Sequence, residues 1–321
     1  KEAHGAIPGK ITLLFEGEEE SGSPSLIPFL NANKDELTAD FALVCDTGMF
    51  NPDTPSISTM LRGMMQEEVV IKAADRDLHS GMFGGPAQNP IRVLSKILAS
   101  LHDESGRVTL PGFYDGVAPI SSELKAQWEN LGFDAKAFLG DVDLSIPAGE
   151  QGFSALEQIW ARPTLEFNGV TGGYTGEGFK TVLPAQASSK ISARLVGDQH
   201  PVKINQALRD RVLEMLPADC TAEFLMGDHG SPGIVLPTEA PEFRKARAAL
   251  SDEWPNEAAF VGCGGSIPIV GHFQDILGMD SILIGFGLDD DRIHSPNEKY
   301  SLTSFQKGAR SWARVLSALT S

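Results

Sequence analysis

The sequence predicts an α/β protein, in which a mostly parallel, helix-covered sheet carries a second, inserted two-layer α/β domain. Short apolar runs alternate with helical patterns at both ends of the chain, as in parallel sheets covered by helices. The middle of the chain instead shows the apolar and polar alternation of half-buried strands. At 321 residues and 41% hydrophobic content, the chain is long enough for two cores.

Three apolar runs are typical of buried strands of the first sheet. They are residues 10–15 (KITLLF), 41–45 (FALVC) and 281–286 (SILIGF). Each ends in polar residues: an acidic cluster at 16–20, Asp46, and the loop 289–294. Helices are predicted at 25–31 and 304–319. The apolar face of the second helix is predicted from its spacing to be Phe305, Trp312, Val315, Leu316 and Leu319.

The inserted domain is predicted from strands at 67–73 and 190–196, helices at 90–101 and 202–216, and a further strand at 221–226. Ile191, Ala193 and Leu195 fall on one face of the second strand, with polar residues on the other. We place the boundaries at Arg62-Gly63 and Leu236-Pro237. Residues 1–62 and 238–321 then form the first domain, and residues 63–237 the inserted one.

Composition excludes several classes of function. A formal charge of −17 argues against a nucleic-acid partner, because the phosphate backbone is bound by clusters of Lys and Arg. No apolar run approaches the roughly 18 residues that span a bilayer, so no membrane association is predicted. Three widely spaced cysteines predict a reducing, cytoplasmic location. The chain begins at Lys1 and enters a strand pattern almost at once, so we expect an upstream segment to be missing.

Residues able to bind metal come directly after each apolar run. Open α/β sheets bind ligands at the carboxyl ends of their strands, where Glu19, Glu20, Asp46 and His294 are expected. Carboxylates and imidazole suit zinc or a similar divalent ion, and a carboxylate that binds no metal can act as general base. Taken singly, the Glu run could be a solvated helix-initiating cluster, Asp46 a turn residue and His294 a surface histidine. Their convergence on one edge favours a site.

Five strings in order carry a family resemblance: FEGEEESGS (15–23), DLHSGMFGG (77–85), GFKTVLP (178–184), GGSIP (264–268) and HSPNE (294–298). Their order and spacing resemble the superfamily of zinc dipeptidases, carboxypeptidase G and acetylornithine deacetylase. The likeness is strongest to its cytosolic non-specific dipeptidase and carnosinase branch and extends over nearly the whole chain.

The resemblance implies a site with two divalent ions, zinc first and manganese or cobalt as alternatives. Glu19 would be the general base acting on a zinc-bridging hydroxide. Glu20 and His294 would bind one ion and Asp46 the other. The family's His-x-Asp motif is not in this sequence, and His4 does not replace it because Gly5 and Ala6 come after it. We therefore expect this chain alone to bind metal poorly and to be inactive.

The resemblance also implies that the inserted domain is a lid and forms a homodimer. His79 would reach the partner's active site and stabilise the oxyanion, as a preorganised donor does. Arg194 would hold the substrate's terminal carboxylate. Thr181 and Ser266 match substrate-contacting positions, and His294 is placed among these residues as well.

The implied function is hydrolysis of a peptide or amide bond next to a free carboxylate, most simply in a dipeptide. The sequence departs from the family pattern at two positions, of which the first weakens the choice of substrate. Cys263 stands where relatives often have an acidic residue that bears on the substrate's amino group, and Gly197 replaces a common proline. Two alternatives therefore stay open: a deacylase of N-acyl amino acids, and a catalytically silent homologue that serves as an assembly module.

Overall fold

Two large sheets dominate the computed structural model, which describes residues 9–227 and 230–320. One sheet takes its strands from both ends of the described chain, and the other from the middle. A two-stranded ribbon is separate from both. This arrangement confirms the predicted α/β class. Within the described ranges, no helix combines the length and apolar character needed to cross a membrane.

The strands, in chain order, are β1 (Phe41–Val44), β2 (Ser56–Leu61), β3 (Gly63–Lys72), β4 (Leu78–His79), β5 (Thr164–Gly172), β6 (Val182–Leu183), β7 (Gln186–Leu195), β8 (Thr221–Phe224), β9 (Gly230–Ser231), β10 (Ile234–Val235), β11 (Ala259–Cys263) and β12 (Asp280–Leu283). The helices are α1 (Leu26–Ala32), α2 (Lys34–Leu37), α3 (Ser80–Phe83), α4 (Pro90–Ala99), α5 (Ser122–Asn130), α6 (Ala135–Gly140), α7 (Ala155–Trp160), α8 (Pro201–Met215), α9 (Pro241–Ser251), α10 (Pro268–His272) and α11 (Leu302–Leu319).

The first sheet has the order β1-β12-β2-β10, with β11 also paired to β2. Its two longest ladders, β1 with β12 and β2 with β11, are parallel. The pairing of β12 with β2 is antiparallel and limited to Leu283 opposite Ser58, and β10 is antiparallel to β2. The prediction of a mostly parallel sheet is therefore confirmed, with an antiparallel element that the apolar runs did not reveal.

The second sheet is antiparallel throughout, in the order β5-β7-β3-β8, with β9 at the start of β3. Helices α4 and α8 cover one face. Ile191, Ala193 and Leu195 of β7 are at most 2% exposed there, as the alternation predicted. Leu94 and Leu208 of the two helices pack in the same core. The two-layer arrangement arises because one face of the sheet is apolar and the other polar.

The strand predicted at residues 10–15 is wrong, because the structure gives this segment no regular conformation. Leu13 and Phe15 are 73% and 87% exposed. A strand depends on a hydrogen-bonded neighbour, and no described strand pairs with this segment. An apolar run predicts burial, but it does not supply the partner strand that burial requires.

The buried face of α11 agrees with the prediction in part, because Val315 is buried and Trp312 and Leu319 pack against the core. The residues buried against the core are Ser304, Gly308, Ser311 and Val315, whereas Phe305 is 64% exposed. A side chain at Gly308 would come within 2.6 Å of the Phe286 ring. Small residues let this helix approach the Phe286 ring, so the closest contact falls on Gly308 rather than on the largest apolar side chains.

Glu253 joins α11 to the segment that comes after α9. Its side chain is 8% exposed, and it accepts hydrogen bonds from Arg310 Nε at 2.8 Å and Arg314 Nε at 3.1 Å. The bond from Arg310, helped by that from Arg314, outweighs burial and holds the pKa of the Glu253 carboxyl below its usual range. The carboxylate form therefore stabilises the docking of α11.

We predict that Glu253→Gln lowers the free energy of unfolding by about 1 kcal/mol at pH 7, since charged hydrogen bonds are lost but both arginines are half exposed. Because the folded pKa is depressed, the stabilisation is complete above the unfolded pKa and is lost as pH falls through the folded value. Urea unfolding from pH 7 to pH 3 should therefore show the variant and the wild type converging in acid. Glu104→Gln, on an exposed loop, is the matched control, and a difference that persists at low pH would contradict the account.

Candidate active site

The acidic cluster contains one glutamate that accepts a backbone hydrogen bond and two glutamates that project from a turn. The Glu18 carboxylate accepts the amide of Ser25 at 3.1 Å, next to the start of α1. Glu19 and Glu20 lie in a 3-10 turn that Gly22 closes in the left-handed conformation. Both are exposed. The turn thus separates a structural carboxylate from two that are available for chemistry.

His294 lies in a strained loop beyond β12. Arg292, His294 and Asn297 all have positive φ, at 57°, 60° and 62°. Each such non-glycine residue costs roughly 1 kcal/mol or more, and such strain concentrates at functional sites. Three of them within six residues therefore need a firm anchor.

Asp291 supplies the anchor at the base of the His294 loop. Its buried carboxylate accepts the Leu288 amide at 2.8 Å and the Lys299 ammonium at 2.9 Å. Burial alone would raise the pKa of this carboxyl, but the bonds from Lys299 and Leu288 outweigh it and lower the pKa. The Lys299 amide closes the loop on the Asp291 carbonyl at 3.0 Å.

The loop brings His294 to Glu20, 274 residues away in sequence. His294 Nε2 lies 3.0 Å from Glu20 Oε1, and both side chains are more than two thirds exposed. An imidazole nitrogen and a carboxylate oxygen meeting on an open surface are donors that suit zinc. The two residues therefore fit part of a metal site.

Asp46, the other predicted metal ligand, is not bonded to Glu20 or His294. Asp46 lies just beyond β1 and is exposed, and no hydrogen bond or ion pair among the described residues joins it to Glu20 or His294. Across residues 9–227 and 230–320, no group of three or more His, Cys, Asp or Glu is placed to hold a metal ion. His4 lies outside the described residues.

His79 and Thr181 are brought together by the ribbon of β4 and β6, in which His79 lies opposite Val182. The Ser80 amide donates to the Thr181 carbonyl at 3.0 Å. His79 Nδ1 accepts the Gly81 amide at 3.0 Å, so the neutral ring carries its proton on Nε2. The exposed ring therefore presents a hydrogen-bond donor to the surroundings.

Arg194 and Ser266 form a third pair. Arg194 is on the polar face of β7, and its Nη1 donates to Ser266 Oγ at 3.3 Å. Ser266 lies in the loop after β11, and its hydroxyl donates to the Arg62 carbonyl at 2.5 Å. The contact joins the second sheet to a loop of the first.

From the sequence, Arg62 was expected only to mark a domain boundary, and its contacts were not predicted. Its Nε donates to the Gly264 carbonyl at 3.0 Å. Burial, with a contribution from the Arg194 guanidinium, lowers the pKa of Arg62 to about 10. The Gly264 carbonyl lies 202 residues away in sequence, so no local pattern signalled this contact.

Comparison with known proteins matches these features to one family. The family model described as the peptidase dimerisation domain matches residues 59–239. The Cys-Gly metallodipeptidase Dug1 of Saccharomyces cerevisiae is 30% identical over 97% of this chain. The Beta-Ala-His dipeptidase of Rattus norvegicus is 28% identical over 96%. The chain spans 65% and 63% of these two relatives, just under two thirds of their length.

Solved structures agree in fold. The dipeptidase Dug1p of Saccharomyces cerevisiae superposes with a TM-score of 0.75 at 28% identity, over 95% of this chain and 65% of that one. The M20 family metallo-carboxypeptidase Sso-CP2 of Sulfolobus solfataricus gives a TM-score of 0.79 at 24% identity, over 95% and 69%, and this likeness bears on the fold alone. With the model match over more than half of its length, this chain belongs to the M20 peptidase family.

Proposed function

We propose that this protein is a metal-dependent dipeptidase that cleaves a peptide bond next to a free carboxylate. The contact between Glu20 and His294 carries the proposal, because it brings together a carboxylate and an imidazole from distant parts of the chain, two groups that suit zinc. The names of the relatives, Cys-Gly metallodipeptidase and Beta-Ala-His dipeptidase, support the same reaction. We propose residues 63–237 as the inserted domain and a cytoplasmic location, which the three free cysteines favour.

Glu20 and His294 would hold one divalent ion and Asp46 a second, with zinc as the proposed metal. When bound, such ions activate water and polarise the substrate carbonyl. Glu19, next to Glu20 in the same turn, would accept a proton from the attacking water and deliver it to the leaving amine. Its exposure leaves the carboxylate free for this transfer.

His79 would donate its Nε2 proton to the oxygen on which negative charge develops, in the active site of a second subunit. The match to a dimerisation domain supports a homodimer. Among the described strands, β5 is paired on one side only, by β7, and it exposes Phe167 and Val170. This free edge is the surface on which a second copy could continue the sheet.

The third pair would receive the carboxyl end of the substrate. Arg194 would bind the terminal carboxylate with its planar guanidinium, Ser266 would orient it, and Thr181 beside His79 would contact substrate polar groups. Cys263, the last residue of β11, is not the acidic residue that the family resemblance leads us to expect near a substrate ammonium group. For this reason N-acyl amino acids are the second candidate substrates, and a silent assembly module is the third possibility.

The proposal predicts that the longest natural form of the protein, supplied with zinc or manganese, hydrolyses dipeptides faster than N-acyl amino acids. Glu19→Gln should lower kcat by about a hundredfold or more, because the general base is lost. Glu16→Gln, an exposed glutamate outside the turn, is the matched control. Steady-state kinetics on both substrate panels measure the difference. A preference for N-acyl amino acids would establish the deacylase, and no turnover of either class would favour the silent homologue.

Gly81 should matter because of His79. A side chain at Gly81 would lie 2.9 Å from His79 Cε1, so Gly81→Ala must displace the ring. We predict a fall of roughly tenfold or more in kcat, since misplaced catalytic groups are costly. Gly140→Ala is the control, because a side chain at Gly140 has no atom within 4 Å. Equal kcat for the two variants, with matching thermal unfolding, would contradict the role of His79.

A chain of these 321 residues should retain little zinc, because in its described part only two donors face each other and stable zinc sites use at least three. Elemental analysis after desalting should find well under one zinc per chain. His294→Gln should reduce the remaining binding, whereas His200→Gln, at an exposed position, should not. Stoichiometric zinc in the wild-type chain would show that the site is more complete than these donors indicate.

A further inference from the structure

We propose that Arg62 is a positioning residue, which fastens the 264–266 loop to the junction between the two sheets so that Ser266 and Arg194 meet the substrate's carboxylate. The inference rests on the proposed function. Its basis is the set of contacts around a single residue that separates β2 from β3.

Arg62 binds the loop through both its backbone and its side chain. Its amide donates to the Gly265 carbonyl at 3.1 Å, and its Nε donates to the Gly264 carbonyl at 3.0 Å. In return, the Ser266 hydroxyl donates to the Arg62 carbonyl at 2.5 Å. Three consecutive loop residues are therefore hydrogen-bonded to one residue of the junction. We call this set of bonds between Arg62 and residues 264–266 the clamp.

The loop fits closely against this clamp. A side chain at Gly264 would come within 3.3 Å of Arg62 Nη2 and of Ile159 Cγ2. Arg62 Nη1 also lies 3.5 Å from the Gln158 carbonyl, near the end of α7, a long and weak hydrogen bond. The guanidinium thus lies between the loop and α7 and contacts both.

The clamp also sets the direction of the Ser266 hydroxyl. A serine hydroxyl has one proton, and that proton goes to the Arg62 carbonyl. The oxygen therefore offers its lone pairs to Arg194 Nη1, 3.3 Å away on β7. Arg62 in this way determines how the loop of the first sheet meets the arginine of the second.

The charges around the clamp favour an anionic ligand. The guanidiniums of Arg62 and Arg194 repel each other, and burial combined with this repulsion lowers the pKa of Arg62 to about 10, so it remains charged near neutrality. Cys263 and Glu166 offset the shift in smaller measure. No ion pair among the described residues joins a carboxylate to Arg62 or Arg194, and Glu166 makes only a smaller electrostatic contribution at Arg62. The free carboxylate of a dipeptide would supply the missing negative charge.

The test compares Arg62→Lys, Ser266→Ala and the double variant in the longest natural form of the protein. Lysine keeps the charge but loses the planar fork that reaches Gly264. With Ala-Gly as substrate, Arg62→Lys should raise KM about tenfold and change kcat less than about threefold. For Ala-Gly amide, which lacks the carboxylate, Arg62→Lys and the wild type should have the same KM. Arg92→Lys, on the exposed face of α4, is the matched control.

The double variant shows whether Arg62 acts on KM through Ser266 or independently of it. If Arg62 acts through Ser266, the double variant should be no worse than the more severe single variant. Full additivity of the two effects on KM, or an unchanged KM in Arg62→Lys, would overturn the proposal. Thermal unfolding of each variant separates these effects from a general loss of fold.

Hydrogen exchange on the ligand-free protein tests the clamp without any activity. Arg62→Lys should accelerate exchange in the segment covering residues 263–268 and leave the β3–β7 ladder unchanged. Unchanged exchange in that segment would reject the clamp. If the wild-type protein hydrolyses no dipeptide while this acceleration occurs, the proposed function fails and the role of Arg62 in holding the loop stands.

Discussion

Parallel pairing between distant segments of the chain is the constraint on which the site depends. β1 pairs with β12 from Phe41 opposite Asp280 to Val44 opposite Leu283, and β2 pairs with β11 in the same sense. Parallel neighbours need a crossover between them, and here the whole second sheet lies within the crossover. The carboxyl ends of β1 and β12 consequently lie at one edge, where Asp46 and the loop carrying His294 begin. β2 runs antiparallel to β12, so the loop with Ser266 is placed by the second parallel pair, β2 with β11.

The strain at this edge is concentrated in the His294 loop. A loop with three non-glycine residues in the left-handed conformation persists only if its ends are fixed, and Asp291 with Lys299 fixes them. The other two pairs are held by ordered elements, the β4–β6 ribbon for His79 and β7 for Arg194. The site residues are therefore distributed over both sheets, and their relative placement depends on the junction at Arg62.

The sequence predicted the features that periodicity and the polarity of strand ends encode. Local patterns were enough for the strands β1, β7 and β12, the helices α4 and α8, and the polar loop with His294. Glu20 and His294 meet as expected, but Glu20 projects from a 3-10 turn and not from the end of the strand that was predicted at residues 10–15. Specific roles for Arg194, Ser266 and His79 came from a family resemblance, and they remain proposals.

The features that the sequence could not predict depend on partners far away in the chain. Residues 10–15 have the composition of a strand, but no described strand pairs with them. The packing of α11 through Gly308 depends on the position of the Phe286 ring. Arg62 gained its importance from the loop at Gly264, 202 residues later, and no local pattern encodes such a contact.

The most direct test of a metal site at this edge is anomalous diffraction at the zinc absorption edge, from crystals of the longest natural form of the protein grown with zinc. The account predicts a peak about 2.1 Å from both His294 Nε2 and a Glu20 carboxylate oxygen, and a second peak within coordination distance of Asp46. Zinc bound elsewhere, with Glu20 and His294 still paired to each other, would contradict it.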